Sequence, residues 1–184
     1  MFQHISHYLT LDEETKQALE NCLIEKVISK NTILVEAGKV CKHLYFLERG
    51  AVRGFYDLDG KMVTHWFAFE NDFFTSFHSF ITQQPAVENI QAIEGSILWM
   101  ISKTDLNSLL ERFHQLEKLL RLSYEKYYIR LEERFVNAQF KTATERYAQL
   151  LNQAPHISER VPLGYIASYL GISQETLSRI RSRI

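Results

Sequence analysis

The side chains best suited to surface chemistry lie at the C-terminal end of the chain: Ser173, Gln174, Glu175, Thr176, Ser178, Arg179, Arg181 and Arg183. Their types suit nucleic acid. Arginine bonds guanine bidentately, glutamine suits adenine, glutamate accepts from the cytosine amine, and hydroxyls reach phosphates. Gln174, Glu175, Ser178, Arg179 and Ser182 recur at the spacing of one helical face. Such a face needs a partner helix behind it. Ile166, Leu170, Leu177 and Ile180 have the apolar spacing of the inner faces of two successive helices. Ala167 is small where the first helix must approach the second, and Ile172 plugs the turn between them. Gly171 falls where the turn needs a left-handed residue. Ser173 is a cap for the second helix. The stretch from Leu163 to Ile184 therefore reads as a helix-turn-helix whose second helix, Gln174–Arg183, enters the DNA major groove. A plain helical hairpin capped by Gly171 would use the same apolar positions. It would not require the small residue, the glycine and the polar outer face in this order.

Bulk properties bound the rest. The chain has 184 residues, 46% of them hydrophobic, enough for one large domain or two small ones. Its net charge of −1 excludes a general polycation, so DNA affinity must come from a local patch. From Thr142 onward five arginines stand against three glutamates, a net of +2 that leaves −3 for the remainder. Two cysteines, Cys22 and Cys41, suit a reduced, cytoplasmic protein and cannot alone ligate an iron–sulfur cluster. The opening MFQHISHYLTLDEET shows no basic region followed by an apolar run, and no membrane span is expected.

The elements that position the C-terminal motif follow from local patterns. A capping box from Thr10 to Glu13 predicts a helix through about Leu23, with Leu11, Ala18, Leu19, Cys22 and Leu23 inward. Short β-rich runs follow at Thr32–Val35, Leu44–Leu47, Val52–Tyr56, Val63–Phe67, Asn89–Ile93 and Ile97–Ile101. Asp59-Gly60 marks a tight hairpin, and the spacing predicts an antiparallel sandwich or barrel. Phe73–Phe80 lacks alternation and reads as a short helix or a loop over the sheet. Ser102 or Thr104 caps a helix to about Arg112, and a longer helix spans His114–Ala138. Along it Leu116, Leu119, Leu120, Tyr124, Tyr127, Leu131 and Phe135 form a stripe of near-heptad spacing. Its length of about 37 Å exceeds what one small sheet needs. A dimer seam is therefore predicted through Leu116, Leu120, Tyr124, Tyr127, Leu131 and Phe135. A second capping box, Thr142 to Glu145, marks a hinge at Asn137–Lys141 and opens a helix over Thr144–Asn152. Pro162 suits the first turn of the next helix.

A β-rich first half, a long helix with a seam and a terminal helix-turn-helix together resemble the Crp/Fnr family of bacterial transcription regulators. The stretch ILVEAGKVCKHLYFLERGAVRGFYDLDGK, Ile33–Lys61, resembles the opening strands of a cyclic-nucleotide-binding jelly roll, with Gly38, Gly50 and Gly60 at turn positions. The resemblance implies an α+β protein in three parts: a β jelly-roll sensor over 1–113, a dimerisation helix and hinge over 114–140, and a helix-turn-helix domain over 141–184. It implies a homodimer on palindromic double-stranded DNA, with RNA polymerase as a further candidate partner and a small effector in the β-domain. The family adds a wing hairpin after the recognition helix. The present sequence ends at Ile184, so wing contacts are outside the expectation.

One departure concerns the effector. Family members that bind cyclic nucleotides hold the ribose with a Gly-Glu pair and the cyclic phosphate with an Arg. Here the pair aligns with Thr75-Ser76, and the Arg with Ala86 in QQPAVENIQA, which has no basic residue. A buried phosphate without a cation would cost several kcal/mol, about 2–7 for even a neutral polar group. Cyclic AMP is therefore not expected to bind in the usual way. The predicted pocket, built from Phe74, Thr75, Ser76, Phe77, Tyr124 and Tyr127, is filled by Phe73, Phe74, Phe77 and Phe80 or takes an unknown effector. No cofactor is predicted. His43, His65 and His78 lack the H-x-H spacing of a jelly-roll metal site, so no metal is predicted either. No nucleophile motif, phosphate loop or paired carboxylates point to an enzyme. The alternative function is a ligand-binding signalling module whose C-terminal helices meet a protein instead of DNA.

Overall fold

The computed structural model describes residues 10–183. The reading of Met1–Leu9 as neither leader nor anchor lies outside the described residues. Helix α1 (Glu13–Cys22) starts two residues later than the Thr10 box implies. Asp12 is its cap, with the Asp12 carboxylate accepting from the Thr15 N–H at 2.8 Å. Gln115 donates to the same carboxylate and accepts from the Asp12 N–H, which ties α1 to the start of a later helix.

Eight strands follow among the described residues: β1 (Ile24–Ile28), β2 (Ile33–Val35), β3 (His43–Arg49), β4 (Val52–Leu58), β5 (Lys61–Ala68), β6 (Phe73–Phe74), β7 (Asn89–Ala92) and β8 (Ser96–Ser102). They form two antiparallel four-stranded sheets, ordered β1-β8-β3-β6 and β2-β7-β4-β5. The sheets close face to face over Leu47, Val52, Ile90, Ala92 and Leu98, all fully buried. The β4–β5 hairpin turns at Asp59-Gly60, both with positive φ. Two strands lie outside the expected set. In β1 only Ile28 is buried, so its exposed Glu25 and Lys26 hide the alternation. Phe73–Phe80 divides into the two-residue strand β6 and helix α2 (Phe77–Thr82). Phe74 points into the sandwich and stacks on Tyr45.

Helix α3 (Lys103–Arg112) is capped by Ser102, whose hydroxyl accepts from the Asp105 N–H. Helix α4 (His114–Phe140) has 27 residues, about 40 Å. Its first turns belong to the core: Leu116 and Leu119 are buried against α1, α3 and the β1–β8 sheet, and Leu120 is half-buried beside them. Tyr124 and Tyr127 turn toward the ring of Phe77. This corrects the seam expected at Leu116, Leu120, Tyr124 and Tyr127. The stripe on the first half of the helix is occupied by its own chain, because α1 and α3 close over it. The apolar face left open is further along, at Tyr128, Leu131, Phe135 and Phe140.

Helix α5 (Ala143–Gln153) is opened by the reciprocal Thr142–Glu145 capping box. A short helix α6 (Ile157–Arg160) precedes α7 (Leu163–Tyr169) and α8 (Gln174–Arg181). Pro162 caps α7 rather than standing in its first turn. These helices share one core, Tyr147, Leu150, Ile157, Val161, Ile166, Leu170, Leu177 and Ile180, which also takes in Ala51 and Ile93 of the sandwich. The C-terminal helices are thus packed on the β2-β7-β4-β5 sheet.

Candidate nucleic-acid interface and sensor cavity

Helix α8 is fixed from behind. Leu177 and Ile180 are buried, and its partner α7 contributes Ile166, Ala167 and Leu170. Gly171 has φ +67°, the left-handed value that the turn needs and that glycine adopts without strain. The Ser173 hydroxyl accepts from the Thr176 N–H at 3.2 Å. Arg146, from α5, donates to the Leu170 carbonyl at the end of α7. With the inner face so committed, Ser173, Gln174, Glu175, Ser178, Arg179, Arg181 and Arg183 are exposed and Thr176 is half-buried. Arg181 is the last helical residue, so Arg183 lies in the turn beyond. Its own backbone N–H and the Ser173 hydroxyl hold the Glu175 carboxyl below the usual range, so it accepts hydrogen bonds at neutral pH. Arg179 reaches back to Thr176 at 3.4 Å, a long contact that leaves most of its guanidinium donors open.

Three sets of contacts dock this two-helix unit on the sandwich. Ser168 on α7 covers the open edge of β5: it accepts from the Thr64 N–H at 2.9 Å and donates to the Met62 carbonyl at 3.1 Å. An uncovered edge would otherwise invite pairing with another chain. The Tyr165 ring lies over the guanidinium of Arg53, 3.5 Å from the ring centre. Arg160 donates twice to Glu70, at 2.8 and 2.7 Å, and also to Glu94. Burial pushes the Glu70 carboxyl up, but the Arg160 bonds, the Gly50 N–H and the Arg160 charge outweigh it and hold the group at about 2. A depressed carboxylate stabilises the fold above its ordinary value of 4.5, and the contribution is lost as pH falls from 4.5 toward 2. The pair is about one-third exposed, so solvent screening limits its worth to about 1 kcal/mol. Glu70→Gln should therefore flatten the fall in unfolding midpoint between pH 5 and pH 2, measured by circular dichroism. An unchanged slope would remove Glu70 from the acid response.

The expected effector residues occupy two different environments. Thr75 and Ser76 are buried. The Thr75 hydroxyl donates to the His43 carbonyl at 2.8 Å, and the Ser76 hydroxyl is enclosed without a hydrogen-bond partner among the described residues. Ala86 is buried and its N–H bonds the Lys39 carbonyl. Phe77 meets Tyr127 at 4.1 Å and Tyr124 at 5.7 Å, filling the space between α2 and α4. Phe80 lies in the opposite hydrophobic layer, against Leu44 and Ile101, and Phe73 packs on Phe46.

Two residues from Ala86 stands a group that sequence reasoning passed over. Glu88 is buried, accepts from the Trp66 indole N–H at 2.9 Å, and lies 2.5 Å from His65 Nε2. Tyr56 stacks on the His65 ring. Gly54 makes this possible, because a Cβ there would sit 2.2 Å from the Trp66 indole. The Glu88 carboxylate is thus held by His65 and Trp66. His78 is exposed, and no group of three or more His, Cys, Asp or Glu among the described residues could hold a metal.

A cavity of about 370 Å³ opens where β5 and β6, α4 and the C-terminal helices meet. Phe74, Thr75, Phe77 and Tyr127 of the expected pocket border it, together with Trp66, Arg130, Arg134 and Tyr169. Tyr124 instead borders an open groove on the outer side of α4.

Residues 25–113 match the family model of the cyclic nucleotide-binding domain. The whole arrangement is similar to solved bacterial regulators. FixK2 from Bradyrhizobium japonicum is 20% identical, with 88% of this chain and 83% of that one covered and a TM-score of 0.76. The c-di-GMP-responsive global regulator CLP of Xanthomonas campestris is 17% identical over 94% and 91%, with a TM-score of 0.73. A putative Crp/Fnr-family transcriptional regulator from Eubacterium rectale is 18% identical over 92% and 82%, with a TM-score of 0.71. At these identities the likeness is one of fold: a cyclic-nucleotide-binding-type sandwich followed by helices, as in Crp/Fnr structures. No curated protein matches the chain. Among the described residues no helix is long and apolar enough to cross a membrane.

Proposed function

We propose that this chain is a cytoplasmic, homodimeric, sequence-reading transcription regulator whose sensor domain does not take cyclic AMP in the usual way. The observation that carries the reading is the polar face of α8, Gln174, Glu175, Ser178 and Arg179, exposed on a helix whose other side is locked by Leu177 and Ile180. A helix held this way presents base-reading groups without ordering them at the moment of binding. The exposed apolar face of α4 at Tyr128, Leu131 and Phe135 supplies the dimer contact. Two-fold symmetry then sets two recognition helices about 34 Å apart on a palindrome. The regulator acts through binding rather than catalysis.

Selection of bound duplexes from a random pool, with and without cyclic AMP, tests this directly. The expected result is an enriched palindrome that is indifferent to cyclic AMP. Arg179→Ala should then cost about 1–3 kcal/mol on that palindrome and relax one base position. Equal loss on selected and random duplexes would remove Arg179 from base reading. Absence of an enriched palindrome would sink the sequence-reading dimer.

A further inference from the structure

The cavity between the sandwich, α4 and the C-terminal helices contains an arginine that the fold does not neutralise. Arg134 of α4 lines it, half-buried. Its neighbours are all satisfied. Arg130, one turn earlier, bonds Asp72 at 3.0 Å, and Lys126 approaches the same carboxylate at 3.5 Å. Arg134 has neither a carboxylate nor a hydrogen-bond acceptor among the described residues. Its contact is with the face of Tyr169, 5.1 Å from the ring centre. Burial pushes its pKa down, and the groups opposing this are the phenols of Tyr169, Tyr56 and Tyr127. Those phenols are themselves pushed above their usual range, so none supplies a negative charge at neutral pH. A half-buried guanidinium with its planar donor fork unfilled is matched by a carboxylate or phosphate.

The walls define the rest of the ligand. Trp66, Phe67 and Phe69 come from the sandwich side, and Tyr127 and Tyr169 from the helices. Phe67 lies 5.3 Å from Tyr169 between ring centres. Flat aromatic surfaces on both sides favour a flat ring. We propose that this cavity binds an aromatic anion, a ring bearing one carboxylate or phosphate, with Arg134 holding the acid group and Trp66 and Tyr169 bordering the ring. This deepens the regulator reading and rests on it for its consequence. Tyr169 is the last residue of α7, so an acid group competing for Arg134 acts on the helix that supports the recognition helix.

Tryptophan fluorescence tests the site without DNA, so its failure is separate from failure of the regulator reading. The chain has two tryptophans, and a Trp99→Phe background leaves Trp66 at the cavity as the reporter. Titration with 2-naphthyl phosphate, 2-naphthoate and neutral 2-naphthol should give saturable quenching by at least one anion. That anion should bind about tenfold to a hundredfold more tightly than naphthol, the range of a charged hydrogen bond. Which anion wins separates a phosphate site from a carboxylate site. Arg134→Gln should abolish the preference and leave naphthol affinity unchanged, and Arg134→Lys should keep part of it. The comparison of anion with naphthol on unaltered Arg134 stands even if both variants fail to fold. Equal affinities for anions and naphthol, no saturable quenching, or a preference that survives in a folded Arg134→Gln protein would each overturn the proposal.

Discussion

Phe135→Glu is expected to convert the protein to a monomer and to lower its affinity for a palindromic duplex about a hundredfold or more. Phe135 is 64% exposed on α4, with Leu131 and Tyr128 on the same face, one and two turns earlier. Positions 128, 131 and 135 follow the three-four spacing of a coiled-coil seam. Burying a phenylalanine is worth about 1.5–3 kcal/mol, and a two-fold axis uses each such residue twice. Glutamate removes that burial and also sets two carboxylates against one another. A loss of about 3–6 kcal/mol weakens dimerisation by two to four orders of magnitude. The monomer keeps its fold, because Phe135 packs on nothing in its own core. Sedimentation velocity reads the first effect, and fluorescence anisotropy on whole and half palindromes reads the second. A Phe135→Glu protein that remains dimeric would move the interface elsewhere. One that becomes monomeric yet binds the palindrome unchanged would separate dimerisation from DNA reading.

The seam also shows where a sequence stops being legible. Heptad spacing runs continuously from Leu116 to Phe135, and nothing in it says where one partner gives way to another. The division is tertiary: α1 and α3 cover Leu116, Leu119 and Leu120, while Leu131 and Phe135 project past them. The α7–α8 pair was readable because its determinants are local. Gly171, the Ser173 cap and four apolar positions lie within fifteen residues and impose the geometry themselves. Hairpin β4–β5 was readable for the same reason. Strand β1 was not, since it buries one residue in five and is held by its pairing with distant β8. The sensor cavity was legible only in part. Phe77, Tyr127 and Thr75 do border one cavity, but Ser76 is enclosed away from it. Glu88 and Arg134 acquire meaning only through His65, Trp66 and Tyr169, which the fold delivers from other elements. A missing arginine could be read from the local cassette. The buried Glu88 carboxylate and a guanidinium on a later helix could not be.

Arg53 sets a second large effect, in stability, where two substitutions should diverge. The residue is 1% exposed on β4, with its guanidinium between the rings of Phe55 and Tyr165. Its donors reach Gln91 Oε1 at 3.0 and 2.8 Å and Thr64 Oγ1 at 3.2 Å. Burial pushes its pKa down, and no carboxylate among the described residues pairs with it, so the charge is balanced by neutral dipoles and ring faces alone. Arg53→Ala removes the stem and the donors together. It leaves a cavity beneath Tyr165 and an unpartnered Gln91 carbonyl, at a cost of about 2–4 kcal/mol. Arg53→Met keeps most of the volume and recovers the desolvation cost of the charge. Met carries no charge to desolvate and leaves no cavity, so although the Gln91 carbonyl again loses its donors, this variant should be less destabilised than Arg53→Ala by about 1–2 kcal/mol. It should nevertheless loosen α7, because the cation beneath Tyr165 is gone, a contact worth about 0.5–2 kcal/mol. Urea denaturation reads the first difference, and hydrogen exchange across Leu163–Tyr169 reads the second. If Arg53→Met is as unstable as Arg53→Ala, the charge itself holds the sheet to α7 and α8. If α7 exchanges no faster in either variant, Ser168 and Arg160 suffice to dock it.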